Sequence, residues 1–500
     1  MQVETRDKGE HMLKTGAEHL ESLRDGRTVY VGRERVADVT AHPAFRAGAR
    51  TVAAIYDMKR DSANLDVTSY VENGERYSSY YLRARSQADL RKRMLTHKKI
   101  ADATFGLFGR SPDHVAGLVT GVAMKAEVLD RVGPSYKDNL LRHWDHMRKT
   151  DAYPVFAAIP PAGVRHPEFH QEEKRTDPGL KVIAEDDKGV VVSGMKMLAT
   201  AAVYANEILI CNLIPLEAAF KKYAVTAAVP CNAPGVSLWA RQPYARAVAH
   251  ELDYPLSYRF DETDSVLVCD NVRIPWERVF VHDDADLSRA VYILTPGNCF
   301  SNYQSTVRFW SKMSLLVGLA SRICQSTGND KIAGVREVLG KLAAYEGAIA
   351  AMCDGAAAAY EPDWPGNGFV CFNRRYMYAA LNWCQENHTG IVDTVRELSG
   401  GNLLQMPADA SVFEDAGLRE TFEGYFGTPF MDPVRRWKLM KLAWDLIGSE
   451  FAGRHQLYEK FYAGTSFVVR NQSFREAPWD AFHARVDSLL DSVAAPDAAR

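Results

Sequence analysis

Arg110 and His114 stand four residues apart, on either side of the dipeptide Ser111-Pro112. A helix that begins at Ser111-Pro112 puts both side chains on one face, because proline suits the first helical position and residues i and i+4 are neighbours. On such a face a guanidinium can stabilise a developing anionic oxygen, and an imidazole titrates close enough to neutrality to move a proton. The competing readings are an arginine that caps the following helix or pairs with Asp113, and a surface histidine. A second candidate is Gly448-Ser449-Glu450-Phe451, followed by Arg454. A Gly-Ser pair permits close approach to the backbone and offers N–H donors to phosphate oxygens, and the arginine can help neutralise a pyrophosphate. The same glycine equally marks close helix packing.

Other motifs fail on their surroundings. Gly366-Asn367-Gly368 lies in a proline-rich loop, and Cys371 occupies the place of the third glycine of a dinucleotide fingerprint. There is no P-loop, no HExxH and no GxSxG elbow, and His250-Glu251 has no second histidine at zinc spacing. No metal site and no pyridine-nucleotide site are expected, so reducing equivalents must arrive from outside. The eight cysteines form no CxxC and no disulfide-dense segment, which points to reduced thiols in the cytoplasm. A net charge of −3 does not suit a nucleic-acid binder. The most basic run (Arg83, Arg85, Arg91, Lys92, Arg93, Lys98, Lys99) reads as a solvated helix face. No apolar run reaches the roughly 18 residues of a membrane helix, and the polar first twelve residues have no apolar signal core.

Five hundred residues exceed one core, so two or three domains are expected. Residues 13–150 read mainly as helix, with helices over 86–103 and 119–132 and a short extended piece at 28–31. Residues 151–280 carry short apolar or alternating runs. Those at 180–184 and 190–197 flank the turn 186–189 as a hairpin, and others follow at 207–213, 223–229, 236–240 and 265–268. This spacing suggests a sandwich or barrel. Residues 281–480 return to long helical runs, at 311–326, 332–360, 374–397 and 433–462, enough for a bundle. That order can place a flat cofactor between a β-domain and a helical bundle.

Four segments resemble the 4-hydroxyphenylacetate 3-hydroxylase family: VGRERVADVTAHPAFR (31–46), GRSPD (109–113), DYPLSYRFDETDSVLVCDNVRIPWERVF (253–280) and WDLIGSEFAGRHQLYEKFYAG (444–464). The resemblance runs over roughly residues 13–470 in the family's order. It implies a mainly α, acyl-CoA dehydrogenase-like fold with a central β-barrel. The units would be an N-terminal helical domain (13–150), a β-barrel (151–280) and a C-terminal four-helix bundle (281–480), assembled as a homotetramer. It also implies the oxygenase component of a two-component monooxygenase. A separate NAD(P)H-flavin reductase supplies reduced FAD (FADH2), O2 converts it to a C4a-hydroperoxide, and the distal oxygen passes to the ortho carbon of a phenolic substrate. Such chemistry needs a dry site and a positioned, electron-rich ring.

The resemblance also assigns residues. Arg110 matches a substrate-contacting arginine, and His114 stands where hydroxyphenylacetate enzymes have a tyrosine. Val155 falls where they have a phenol-binding histidine, aligned on Pro160-Pro161, and valine can neither donate nor accept a proton. Val155, Ala157, Pro161 and Arg165 are therefore the expected flavin- and substrate-contacting segment. Thr200 matches a threonine bonded to the flavin ring, or else pairs across a sheet. Asn212 and Leu213 match a substrate-covering loop. Gly448, Ser449, Glu450, Phe451 and Arg454 match a flavin-contacting turn. Arg259, Asp261, Asp270 and Trp276 read as architectural. Val155 also motivates a different target, an indole or other heteroaromatic carbon or a nitrogen, and a binding-only homologue is a third reading. The 4-hydroxybutyryl-CoA dehydratase branch of the fold, with FAD and an iron–sulfur cluster, fits poorly: residues 106–110 hold no cysteine pair, and position 292 is Tyr, not His.

Overall fold

Residues 13–131, 133–165, 176–213, 216–244 and 250–493 are described by the computed structural model. Local capping sets the first helices. Thr15 opens the short helix Gly16–Ser22 through a capping box with Glu18, and Ser86 does the same with Asp89 for the helix Gln87–Ala103. The longer helices before the β-region are α1 (Arg46–Arg60), α2 (Gln87–Ala103), α3 (Pro112–Met124) and α4 (Pro134–Thr150). Pro112 and Pro134 each begin a helix, and α3 is buried along its whole length. After the β-region come α5 (Ala285–Ile293), α6 (Gly297–Gln325), α7 (Ala333–Ala358), α8 (Arg374–Ser399), α9 (Pro433–Ile447), α10 (Glu450–Phe461) and α11 (Trp479–Ser492). The central helix α6 packs against α2, α3, α7 and α8.

Twelve strands are described: β1 (Thr28–Val31), β2 (Glu34–Val36), β3 (Ser69–Glu72), β4 (Glu75–Ser78), β5 (Pro154–Ala157), β6 (Lys181–Asp186), β7 (Gly189–Lys196), β8 (Glu207–Ile210), β9 (Val225–Pro230), β10 (Val236–Ala240), β11 (Ser265–Pro275) and β12 (Val279–His282). The expected hairpin over 180–197 is β6–β7. The expected closed barrel is instead two open sheets, ordered β2-β1-β10-β11-β7-β6 and β12-β9-β8-β5, beside the small β3–β4 hairpin. Strands β5, β8 and β12 are four residues long, too short to supply the stagger that closure requires. The small sheet is buried on both sides. Ile208, Ile210 and Val229 meet Val190, Leu238 and Leu267 of the large sheet, while Leu209, Ala228 and Phe280 meet Val115, Leu118 and Trp144 of the helices. Strand β1 runs parallel to β10, so the N-terminal segment completes the large sheet.

Two further expectations change. The run 433–462 is not one helix: it breaks at Gly448-Ser449, where the Ser449 hydroxyl caps α10 by accepting from the Ala452 N–H at 3.2 Å. Arg93 is not on a solvated face. It is fully buried and donates to the carbonyls of Tyr80 (2.7 Å) and Leu82 (2.9 Å), because those carbonyls end a 3₁₀ turn with no helical partner.

The buried histidines include His19, His97, His114, His388 and His455. Burial pushes all five below the usual imidazole range, His388 to about 3, and it outweighs Asp113 beside His97. An unfolded chain binds protons at these groups as pH falls past about 6.5, and the native chain does not. Their contribution is therefore complete above that pH and is lost progressively below it, a loss that begins before the carboxylates titrate. The urea midpoint is expected to fall steadily from pH 7.5 to 5.5; a flat profile down to pH 5 would contradict the buried, neutral imidazoles.

Candidate active site

The start of α3 brings Arg110 and His114 together as expected. The Arg110 Nη1–H donates to His114 Nε2, and its Nη2–H donates to the Tyr462 carbonyl at 2.8 Å. Its backbone N–H donates to Glu262 Oε2 at 2.7 Å, and its carbonyl accepts from the Tyr153 hydroxyl. The guanidinium lies 5.0 Å from the Phe156 ring centre, and the His114 ring stacks on Phe156 at 5.7 Å. Among the described residues no carboxylate pairs with the Arg110 guanidinium, so its charge is left for something else.

His114 does not have the near-neutral titration read from its residue type. Burial first, and then the Arg110 charge, hold its imidazole well below the usual range. With Nε2 accepting from Arg110, the ring proton sits on Nδ1. That atom is buried and has no hydrogen-bond partner among the described residues. It is a donor aimed at something other than this chain.

Val155 is placed otherwise than expected. It is 1% exposed, pairs with Ile208 across β5–β8, and points with Ala157 into the core between the sheets. Alternation along β5 makes Phe156 the residue that faces Arg110 and His114. Pro161 lies partly buried just beyond, and Arg165 ends the short turn that follows.

Arg454 is held by carboxylates. Nη1 donates to Glu262 Oε1 at 2.5 Å, and Nε and Nη2 donate to Asp264 at 3.1 and 2.8 Å. Thr200 donates to the same Asp264 at 2.8 Å, as does Arg241 at 3.0 Å. The Arg454 and Arg241 charges drive the Asp264 carboxyl far below the usual range. Arg454 thus pins α10 to the large sheet rather than offering a free cation, and Glu262 ties it to the Arg110 backbone. Gly448 and Phe451 pack into the bundle: a Cβ at Gly448 would sit 2.6 Å from the Trp444 ring, and Phe451 meets His455 edge-on at 4.4 Å. Ser449 donates to the Asp445 carbonyl at 2.9 Å, and Glu450 lies in the first turn of α10.

The face of α10 that carries Arg454 continues through Tyr458 and Tyr462, one turn apart. Their rings stack at 5.4 Å and neither hydroxyl has a partner in the protein. Burial pushes the Tyr458 phenol up to about 12. A Cβ at Gly109 would overlap Tyr458, so only glycine lets the chain pass before Arg110. Buried Gln456 Nε2, Thr465 Oγ1 and Ser466 Oγ are also unpartnered. The adjacent Tyr458 and Tyr462 hydroxyls suit a planar group rich in acceptors, such as a flavin ring.

Asn212 and Leu213 line an apolar cavity. Leu118, one turn beyond His114 on α3, is on its wall, and so is Tyr292, which feels the Arg110 charge. Phe156, Tyr153, Glu262, Tyr458, Tyr462 and Tyr292 were not among the expected site residues. The i, i+4 repeat of 454, 458 and 462 was the readable signal for two of them.

The architecture is acyl-CoA dehydrogenase-like, with the β-region between two helical parts. Residues 15–281 match the 4-hydroxyphenylacetate 3-hydroxylase N-terminal description, and residues 288–491 match the C-terminal one. The chain belongs to the 4-hydroxyphenylacetate 3-hydroxylase family. It is 32% identical to the oxygenase component of a 4-nitrophenol 2-monooxygenase from a Rhodococcus species, over 92% of this chain and 88% of the relative. It is 31% identical to a pyoverdin chromophore biosynthetic protein of Pseudomonas aeruginosa, over 92% and 91%. The crystal structure of the 4-hydroxyphenylacetate 3-monooxygenase oxygenase component complexed with FAD and 4-hydroxyphenylacetate superposes with a TM-score of 0.88 at 27% identity, covering 96% of this chain and 98% of that one. An archaeal 4-hydroxybutyryl-CoA dehydratase shares the fold (TM-score 0.84) at 19% identity.

Proposed function

We propose that this chain is the oxygenase component of a two-component flavin monooxygenase that hydroxylates a phenolic substrate at the ortho carbon. The observation that carries the reading is the Arg110–His114 pair: a buried cation without a counter-ion beside an unpartnered Nδ1–H, next to an apolar cavity. Arg110 favours the phenolate over the phenol, because an anion there answers an otherwise uncompensated buried charge. The phenolate has raised electron density at its ortho carbon. His114 serves as a neutral donor that fixes the oxygen of the substrate, with Phe156 beneath it. Reduced FAD with O2 would supply the activated oxygen. Tyr458, Tyr462, Gln456, Thr465 and Ser466 would hold the flavin, with Thr200 at the sheet side, and the apolar walls exclude water.

Pyridine-nucleotide chemistry belongs on this reading to a separate reductase that delivers FADH2. A homotetramer is supported by the apolar face that Phe482, Val486, Leu489 and Leu490 leave exposed on α11. Among the described residues no helix is long and apolar enough to cross a membrane, and eight buried thiols suit the cytoplasm.

The test supplies chemically reduced FAD and O2 and follows catechol and peroxide. Catechol from 4-alkylphenols is expected. Peroxide alone across phenols, with product from indoles or arylamines, would replace the phenol reading by the heteroaromatic one. His114→Gln is expected to lower hydroxylation without moving the pH profile between 6 and 9. A shift of its acid limb would restore the base role.

A further inference from the structure

We infer that the substrate is a phenol with an uncharged, mostly hydrocarbon substituent that carries one neutral hydrogen-bonding group, and that Thr226 reads that group. The inference rests on the proposed phenol chemistry and concerns the cavity behind it. The walls beyond Leu118 are Val122, Leu129, Leu140, Phe280 and Val291. Among the described residues, no Arg, Lys, Asp or Glu lines it. A carboxylate buried there would lose its hydration with no cation to answer it.

The polar groups that reach the wall are mostly occupied. Asn212 donates to the Tyr223 carbonyl at 2.7 Å and accepts from Lys196 Nζ at 2.7 Å, so both ends of its amide are used. Lys196 is bonded to Asn212. It lies behind Asn212 and also donates to the Cys211 carbonyl at 3.1 Å, so it is not presented to the cavity. Ser288 donates to the Ala285 carbonyl at 2.9 Å. Thr226, on β9, is different: it lines the cavity, is 6% exposed, and its hydroxyl has no partner among the described residues. A buried hydroxyl without a partner is uncommon and can both donate and accept. A neutral ether, alcohol or amide oxygen on the substituent would satisfy it, and a hydrocarbon end would leave it bare.

Leu118, one turn beyond His114 on α3 and on the cavity wall, gives the proposed substrate an order. The phenol oxygen meets Arg110 and His114, the substituent passes Leu118, and its polar end meets Thr226. A short polar acid such as a hydroxyphenylacetate would place its charge among Leu118, Val122 and Val291.

The experiment measures binding to the flavin-free protein by calorimetry, with four probes: phenol, 4-propylphenol, 4-(2-methoxyethyl)phenol and 3-(4-hydroxyphenyl)propanoate. The propanoate is expected to bind at least 100-fold more weakly than the methoxyethyl phenol. Thr226→Val should erase the preference for the methoxyethyl over the propyl probe. Val291→Trp should reduce the propylphenol-to-phenol affinity ratio at least tenfold; if that variant does not fold, Leu118→Phe tests the same wall. A propanoate that binds as tightly as the neutral probes, or a ratio unmoved by either filling variant, overturns the inference. Hydroxylation assays on the same probes separate the two readings. Phenols that bind in the expected order but are never hydroxylated would defeat the monooxygenase reading alone. Hydroxylation that favours the propanoate would defeat this inference alone.

Discussion

Arg110→Ala is expected to lower kcat/KM for hydroxylation by about 10²–10³-fold, the usual loss when a group that stabilises developing charge is removed from a dry site. The guanidinium is 9% exposed in residue terms and donates only to neutral acceptors, His114 Nε2 and the Tyr462 carbonyl. Its charge is thus available to a phenolate. Removal also frees His114 Nε2, so the imidazole loses the bond that keeps its proton on Nδ1. Arg110→Lys should recover little, because one ammonium cannot span histidine and carbonyl in the geometry of the guanidinium fork. Three measurements check this: hydroxylation with reduced FAD, anaerobic affinity for reduced FAD, and the thermal midpoint. The expectation is that flavin is still bound and oxidised, with peroxide replacing product. Normal hydroxylation by Arg110→Ala would remove the residue from the site, and a collapsed thermal midpoint would assign it to folding.

Glu459→Gln should cost the fold about 3–5 kcal/mol, the range seen when one partner of a buried ion pair is deleted. Glu459 is completely buried between Arg308, bonded through both nitrogens at 2.6 Å, and Lys312. Lys312 also donates to His455 Nδ1 at 2.9 Å. The two cations hold the Glu459 carboxyl far below its usual range, so protonating it in mild acid does not relieve the cluster. Deleting the carboxylate strands both cations in the bundle. The thermal midpoint should drop clearly, while replacing Arg308, Lys312 and Glu459 together by methionine should recover most of the loss. An unchanged midpoint in the single variant would show that water reaches the cluster. The neighbours of Glu459 in sequence and on α10 are Tyr458 and, one turn on, Tyr462, so affinity for reduced FAD should fall together with stability.

The sequence carried the order of the elements well, because that order is written in local signals. Pro112 starting α3, the turn between β6 and β7, and the long amphipathic runs of the bundle are all short-range features. The expected architectural residues also behave so: Asp261 pairs with Arg241 at 2.5 Å, and the Trp276 N–H donates to the Asp186 carbonyl at 2.8 Å. The closed barrel was not legible, since closure depends on strand lengths and stagger rather than on alternation. In the candidate site, Arg110 and His114 came together because Pro112 starts α3 between them, while Asn212 and Leu213 line the apolar cavity beyond Leu118. Val155 and Phe156 show the limit: aligning on Pro160-Pro161 fixes the strand but not which residue points where, and one step along β5 exchanges core for site. Arg454 shows another. Its type suggested a free cation, whereas Glu262 and Asp264, nearly two hundred residues earlier, had already taken its donors.

The parallel pairing of β1 with β10 sets a schedule for the growing chain. Thr28 lies opposite Ser237, and nothing between them can take the place of that partner in the register observed. At roughly 5–20 residues per second, the segment Thr28–Val31 waits on the order of ten to forty seconds on the ribosome before its partner has been made. During that interval Val29, which ends fully buried, has no sheet to enter, and the β1–β2 ribbon presents an open edge. A segment made early is thus fixed in place only once β10 has been made, and its protection until then falls to whatever in the cell shields nascent chains.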